Sequence, residues 1–396
     1  KSYIAMIAYT EYERDARVRR YAESLVRNKF RVDCYVLDEL NKPPIEILNG
    51  VRIIHLNIAQ YRGNSNVTYI VSYFHFFFKA MFELIKNIKK QYLVIHVHNM
   101  PDFLVFTTIF NKWSGSKIIL DIHDNMPELY LAKFKSILGK LIYSLLLIQE
   151  KLSCHFADKV VTVHVPHLEH NINNHGLNRK KSVVIANFAD KNLFNPKDHG
   201  GPITRSENEF KMIYHGTIAE RFGLKVVLNA IKNSIRQFQS IRFDIYGKGD
   251  GVPDLERWII ELRLSKNVTY HGQIPLDEIP HKISQADLGI VSYIRSEATH
   301  LMSPLKLMEY IAMGLPTLTV KNAPISYYFQ SDELAFYKNN DSDSFLNQLI
   351  ILLKSPQELV RLKAKTNTIN QRLNWDNEQL KYIHIIKELS GKPNSC

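Results

Sequence analysis

The segment SPLKLMEYIAMGLP, residues 303–316, carries two charged side chains, Lys306 and Glu309, in an otherwise apolar run. Ser303 is placed to cap a helix, Pro304 suits its first position, and Gly314 followed by Pro316 ends it. The spacing predicts a helix over 304–313. Lys306 and Glu309 are three residues apart and share one face near its start. Around Pro304, Leu305 and Lys306 the helix N-terminus offers free N–H groups and a partial positive charge, an anion site to which Lys306 adds a full charge suited to a diphosphate. Glu309, one turn deeper, can accept from two vicinal ribose hydroxyls. The plainer alternative is a solvated Lys–Glu pair worth a few tenths of a kcal/mol. It fits poorly with how little polar surface the neighbouring side chains leave.

A second segment, YHGTIAERFGL (214–224), ends a strand at His215, turns at Gly216 and Thr217, and sets Arg221 just before Gly223. Gly216 lets a phosphate approach the backbone, and Arg221 can clamp it bidentately. IYGKGD (245–250) and HGQIP (271–275) are weaker strand-end turns, where Gly247 and Gly249 can face a nucleotide. In the first half, KIILDIHDNMPELY (117–130) puts His123 and Asp124 just past a strand, and His98 and Asn99 form a similar edge. A histidine there can hydrogen-bond a sugar or a departing phosphate. His96 and His98 point the same way from a strand, as paired metal ligands do. No Cys or third His follows at ligand spacing, so no metal site is expected. Glu11, Asp15 and Arg17, after the first strand, can reach an acceptor or the phosphates; a solvated helix face accounts for them equally well.

These residues need a scaffold that gathers strand ends. Short β-branched runs at 3–9, 31–37, 51–56, 92–98, 117–123, 159–164 and 182–187 alternate with helical patterns such as 14–27, 67–90 and 136–157. The polar, Pro/Gly-rich stretch 188–209 breaks the alternation. It restarts with strands at 210–215, 241–246, 268–271, 288–293 and 316–320, then terminal helices to about 389. Near-continuous apolar strands joined by helices imply parallel sheets covered on both faces. The reading is α/β, two Rossmann-like doubly wound domains facing across a cleft, with ligands outside the carboxyl ends of the strands. The domains span 1–190 and 210–372, with a linker at 191–209 and a terminal helix, 373–396, crossing back to the first.

The chain of 396 residues has 45% hydrophobic and 23% charged residues and three cysteines, too few for a disulfide framework or a four-ligand zinc site. A reducing cytoplasm fits, and the apolar start reads as a strand rather than a secretory leader. No apolar run is long enough to cross a membrane. The net charge of +12 is uneven: residues 1–200 hold 27 Lys/Arg against 18 Asp/Glu, the rest 24 against 21. Nothing resembles a nucleic-acid-binding module, so no nucleic acid is expected. The aromatic, basic-ended helix at 69–90 and the basic, apolar 133–152 make an anionic membrane surface the expected partner, met peripherally at the inner face of the cell membrane.

In order and spacing, YHGTIAERFGL, IYGKGD, HGQIP with ADLGIVSY, and SPLKLMEYIAMGLP resemble the family 4 glycosyltransferases of GT-B fold. NFADKNLF resembles that family's interdomain junction, and the last helices resemble those that cross back. The resemblance implies a retaining, metal-independent transfer from a UDP- or GDP-linked sugar to an acceptor hydroxyl, with no further cofactor. Arg221 and Lys306 would hold the diphosphate and Glu309 the ribose. His123 and Asp124 stand where the family has Asp-x-His-Glu, near the transferred sugar. The basic, partly apolar first half suits a lipid-linked saccharide acceptor, as in bacterial surface-polysaccharide assembly. The chain departs at Leu301, where many members carry a second glutamate; Glu297 is close but out of register. That departure keeps two alternatives, a non-catalytic nucleotide-sugar-binding partner and a sugar-nucleotide epimerase of the same fold.

Overall fold

The computed structural model describes residues 2–39, 42–59, 61, 66–133, 137–199, 209–235, 237–296 and 299–391. The chain forms two compact units, Lys1–Ala186 with Asn377–Cys396, and Asn187–Asp376. Sequence patterning set the changes at 190 and 372. Of the expected linker, 191–199 belong to the second unit and 200–208 lie outside the described residues.

The first unit holds strands β1 (Tyr3–Ile7), β2 (Arg31–Val36), β3 (Ile45–Leu48), β4 (Val51–His55), β5 (Val94–His98), β6 (Lys117–Ile122), β7 (Lys159–Thr162) and β8 (Ser182–Val184). Its helices are α1 (Ala16–Arg27), α2 (Asn66–Lys86), α3 (Ile109–Trp113), α4 (Met126–Lys133), α5 (Ile137–Phe156) and α6 (Val165–His175). The sheet order is β3-β4-β2-β1-β5-β6-β7-β8. Every pairing is parallel except β3 with β4. β3 was not legible as a strand. It follows Pro43 and Pro44 and sits at the sheet edge, where Ile45 and Ile47 point to solvent. The interior strands are buried along nearly their whole length, as a sheet covered on both faces requires.

The second unit holds β9 (Phe210–His215), β10 (Ile241–Tyr246), β11 (Val268–Tyr270), β12 (Leu288–Val291), β13 (Thr317–Val320) and β14 (Ala335–Tyr337). All pairings are parallel, in the order β11-β10-β9-β12-β13-β14. Around this sheet lie α7 (Leu224–Ser234), α8 (Val252–Glu261), α9 (Ile279–Ser284), α10 (Leu305–Ala312), α11 (Ala323–Tyr328), α12 (Ser342–Lys354) and α13 (Pro356–Arg372). The last helix, α14 (Trp375–Leu389), returns to the first unit. There Tyr382 Oη lies 3.0 Å from His96 Nδ1, and Glu378 accepts from the Ala186 N–H at 2.8 Å.

In each sheet the strand order reverses beside one strand, β1 in the first unit and β9 in the second. Connections leaving such a strand and its neighbour run to opposite sides and open a crevice at the carboxyl ends. The turns after β1 and β9 carry Glu11 to Arg17 and Gly216 to Arg221.

Candidate functional site

In the second unit the turns after β9 and β10 are zipped together by main-chain hydrogen bonds. Gly216 N–H donates to Tyr246 O at 3.0 Å, Ile218 N–H to Lys248 O at 2.8 Å, and Gly251 N–H to Ile218 O at 3.0 Å. A Cβ on Gly247 would lie 1.8 Å from Gly216 O, and one on Gly249 1.9 Å from Ile218 O. Backbone-on-backbone packing therefore accounts for both glycines, whatever lies against the outer surface. Gly216 is different: a Cβ there would meet the end of Lys306 at 3.3 Å.

Lys306 stands on the first turn of α10. That helix starts one residue later than the sequence suggested. Pro304 is the extended cap residue, and no side chain caps the end, so Ser303 does not do so. Lys306 Nζ lies 3.7 Å from the centre of the Tyr214 ring and 5.1 Å from that of Phe222; the exposed Arg221 guanidinium lies 4.9 Å from the Phe222 ring. Two cations thus converge on one aromatic ring, each attracted to its π face. Enclosure of the ammonium pushes Lys306 down to about 7, against the opposing pull of Glu309. Gly216 and Thr217 are exposed, while Leu305 and Ser303 are half-buried.

Glu309 is buried, and His215 Nε2 lies 3.1 Å from its Oε2. His215 packs edge-on against Tyr310, whose hydroxyl donates to Ile213 O at 3.2 Å. His215, Tyr214 and Phe222 were missed as site residues. Each had looked like plain strand or turn; their place directly beside Gly216 and Arg221 was the available signal. Leu301 is half-buried, and Glu297 lies outside the described residues.

In the first unit the ends of β5 and β6 meet. The carboxylate of Asp121 on β6 takes an Arg17 hydrogen bond at 3.2 Å and lies 3.2 Å from His98 Nδ1. Burial alone would raise this carboxyl, but Arg17 and His98 more than offset it and hold it well below the usual range. Arg17 and His98 are almost fully buried. Expected on the acceptor side, they are instead consumed in holding Asp121. Asn99 is likewise buried: its amide donates to Asp102 at 2.9 Å and to the Asp124 carbonyl at 2.8 Å, and its oxygen accepts from His123 N–H at 3.1 Å. It fixes the two strand ends rather than reaching outward. Asp15 caps α1, accepting from the N–H groups of Arg17 and Val18 at 3.1 Å each. Glu11 is buried and pairs with Arg14. Of the expected first-unit residues, His123 and Asp124 remain half-exposed, with His123 Nδ1 3.9 Å from Asp121. The third group beside His96 and His98, which the spacing did not offer, is Asp121 from the next strand. Because Arg17 already touches that carboxylate, a metal cation there would face a buried guanidinium.

Residues 16–193 match the model of Glycosyltransferase Family 4, and residues 200–369 that of Glycosyl transferases group 1. Together the two matches span most of the chain. The protein belongs to the family 4 glycosyltransferases of GT-B fold. The chain is 23% identical to a chitobiosyldiphosphodolichol beta-mannosyltransferase of Debaryomyces hansenii, over 91% of this chain and 83% of that one. Among solved structures it is similar to the sucrose-phosphate synthase of Thermosynechococcus elongatus, with TM-score 0.78, 18% identity and 99% and 100% of the chains covered. It is also similar to Anabaena HepE in complex with UDP, with TM-score 0.69, 13% identity and 98% and 100% covered. At these identities the structures attest the fold alone. The α/β class expected from the strand pattern and the GT-B architecture implied by the family resemblance are those of the structure.

Proposed function

We propose that this glycosyltransferase moves a sugar from a UDP- or GDP-linked donor to the hydroxyl of a lipid-linked saccharide. The observation that carries the donor side is the convergence of Lys306 and Arg221 on Phe222, above the Gly216 turn and at the N-terminus of α10. Two cations and a helix dipole supply the positive charge that a departing nucleoside diphosphate develops. The diphosphate then needs no metal, and its affinity should be unchanged by EDTA. The ribose falls to Glu309, which can exchange its contact with His215 for two hydroxyl donors. HepE, solved with UDP, makes UDP the first nucleotide to test.

The acceptor side rests on the first unit. His123 and Asp124 stand half-exposed at the end of β6, where they can hydrogen-bond a sugar hydroxyl. The relative in Debaryomyces is named for an acceptor carrying a saccharide on diphosphodolichol, which favours a lipid diphosphate-linked saccharide here. The membrane-facing surface in this reading is the outer face of α2 and α5. Val71, Phe74, Phe78 and Phe82 on α2 and Leu141, Leu145, Ile148 and Leu152 on α5 are all exposed, with Lys79, Lys86 and Lys89 beside the former group. Among the described residues no helix is long and apolar enough to cross a membrane, so attachment in this reading is peripheral.

Family membership favours retention at the anomeric carbon, with front-face attack assisted by the leaving phosphate. The β-linkage in the relative's name supports a second reading, inversion, with Asp124 or His123 taking the acceptor proton. The test is incubation with labelled UDP- and GDP-sugars and a lipid-diphosphate saccharide, followed by NMR of the product's anomeric configuration. A new glycoside is expected. Donor interconversion without transfer would make the protein an epimerase, and donor binding with neither outcome would make it a partner protein.

A further inference from the structure

The loop carrying His123 and Asp124 runs directly into α4, and α4 is tied to α6 by a cluster separate from the residues assigned to the transfer. Glu128 on α4 is buried. Its Oε1 lies 3.0 Å from His170 Nε2 and 2.8 Å from His175 Nε2, both on α6. One ligand atom from each residue falls within 4.8 Å of the others. His175 is held from its far side, where Nδ1 meets Glu150 Oε1 at 2.7 Å; His170 Nδ1 meets the Asn174 amide at 3.0 Å.

Two further observations point to a cation. Glu128 Oε2 and Glu150 Oε2 have no hydrogen-bond partner among the described residues, although both side chains are more than nine-tenths buried. Two buried carboxylates, Glu128 and Glu150, also meet a single imidazole, His175, from its two sides. Buried charge of one sign is costly unless it is compensated. The His96–His98–Asp121 group makes a useful contrast, because Arg17 already supplies its compensating charge.

We propose that Glu128, His170 and His175 bind a zinc ion, with Glu150 orienting His175 from the second side. Two imidazoles and one carboxylate form a donor set that zinc accepts in tetrahedral geometry, leaving one position for water. Ligand bonds of about 2.0–2.1 Å would place the donor atoms roughly 3.3 Å apart, so Glu128 Oε1 need move only a few tenths of an ångström from each imidazole. A carboxylate behind a metal-bound imidazole, as Glu150 stands to His175, fixes the ring and its tautomer. A cavity of about 330 Å³ opens beside the cluster on the Glu150 side of His175. The ion would staple α4 to α6, alongside the hydrogen bond from His167 to Asn125, and so position the 123–125 edge.

The full-length protein, treated with a chelator and desalted, is titrated with ZnCl₂ by calorimetry, and its metal content is read by plasma mass spectrometry. One zinc per chain is expected, with a rise in thermal midpoint. CoCl₂ in its place should give the visible absorption of low-coordinate cobalt. Glu150→Gln should keep one site and weaken it about 10–100-fold. His170→Ala, at a half-exposed position that tolerates truncation, should weaken it further and abolish the cobalt spectrum, whereas His281→Ala should change neither. Zinc bound below one per chain, or bound as tightly by His170→Ala as by the wild type, overturns the proposal.

Discussion

Lys306 is an ammonium held against two aromatic rings, and among the described residues the anion acting on it is Glu309, one turn on. The cost of that enclosure brings its titration down to about 7 from 10.5. The sign follows directly. A bound diphosphate favours the charged form, so above pH 7 binding must draw a proton onto Lys306. Calorimetry at pH 8 in buffers of differing ionisation enthalpy should show proton uptake on binding UDP or GDP, and affinity should fall as pH rises from 7 towards 10. Lys306→Met should abolish the uptake; its persistence would place the proton elsewhere. The same shift lets the unfolded chain hold more protons than the folded one between pH 7 and 10.5, so this group's contribution to stability grows across that window. Glu309 supports a second residue-scale expectation. Glu309→Ala should cost about 1.5–3 kcal/mol of donor affinity, the worth of a charged hydrogen bond, while circular dichroism stays unchanged. Equal affinity by calorimetry would remove Glu309 from the site. Lys306 and Glu309 were legible in sequence because charged residues stand out in an apolar helix. His215 was not, because a histidine closing a strand carries no periodic signal. Arg17 and His98 misled for the converse reason: charge suggests exposure, yet Asp121, over a hundred residues from Arg17, compensates them inside the fold.

At the scale of elements, the donor turn depends on main-chain contact between the loops after β9 and β10. Gly247 touches Gly216 itself, whereas Gly272, with φ +74°, has nothing within 4 Å of where a Cβ would stand. Gly247, at φ +143°, thus combines a backbone clash with strain, whereas Gly272 carries strain alone. Gly272→Ala should cost about 1–2 kcal/mol, the penalty of a left-handed residue. Gly247→Ala must push the loops apart, and should cost more in thermal stability and lower donor affinity with it. If the two variants prove equally stable, the interlock is not what holds the turn. Strand positions were readable within a residue or two wherever the strand was interior, because continuous apolar runs leave few alternatives. The two missed strands, β3 (Ile45–Leu48) and β14 (Ala335–Tyr337), are two of the four sheet-edge strands. β3 has alternating exposed and half-exposed residues, and β14, only three residues, follows the polar turn at 330–333 without a longer apolar run to mark it.

For the molecule as a whole, the first unit carries an unusual helix. α2 is apolar on both sides: Tyr73, Phe76, Ala80 and Leu84 face the core, while Val67, Val71, Phe74, Phe78 and Phe82 face outward at helical spacing. α5 exposes Leu141, Leu145, Ile148 and Leu152 in the same way, and both helices pack on the Asp102–Thr108 turn. Contiguous exposed apolar surface of this kind marks a docking face. Lys79, Lys86 and Lys89 lie beside the α2 stripe, Lys86 in an exposed pair with Glu83, whereas Lys90 is taken up by the buried Asp33 and contributes to the fold. An anionic bilayer matches both components. Each basic side chain near its surface adds roughly 1 kcal/mol, and each buried aromatic about 1.5–3 kcal/mol. The protein should therefore sediment with phosphatidylglycerol vesicles at low salt and be partly released at high salt, since only the electrostatic share is screened. Phe78→Ser with Phe82→Ser should cut binding more than tenfold at any salt, and Lys86→Glu with Lys89→Glu should remove its salt dependence. Neither pair should alter nucleotide affinity, because the residues proposed to hold the donor lie in the second unit. A protein that ignores the vesicles yet dimerises through this face in sedimentation velocity, with dimerisation lost in the phenylalanine pair, would assign the surface to a second copy of the chain instead.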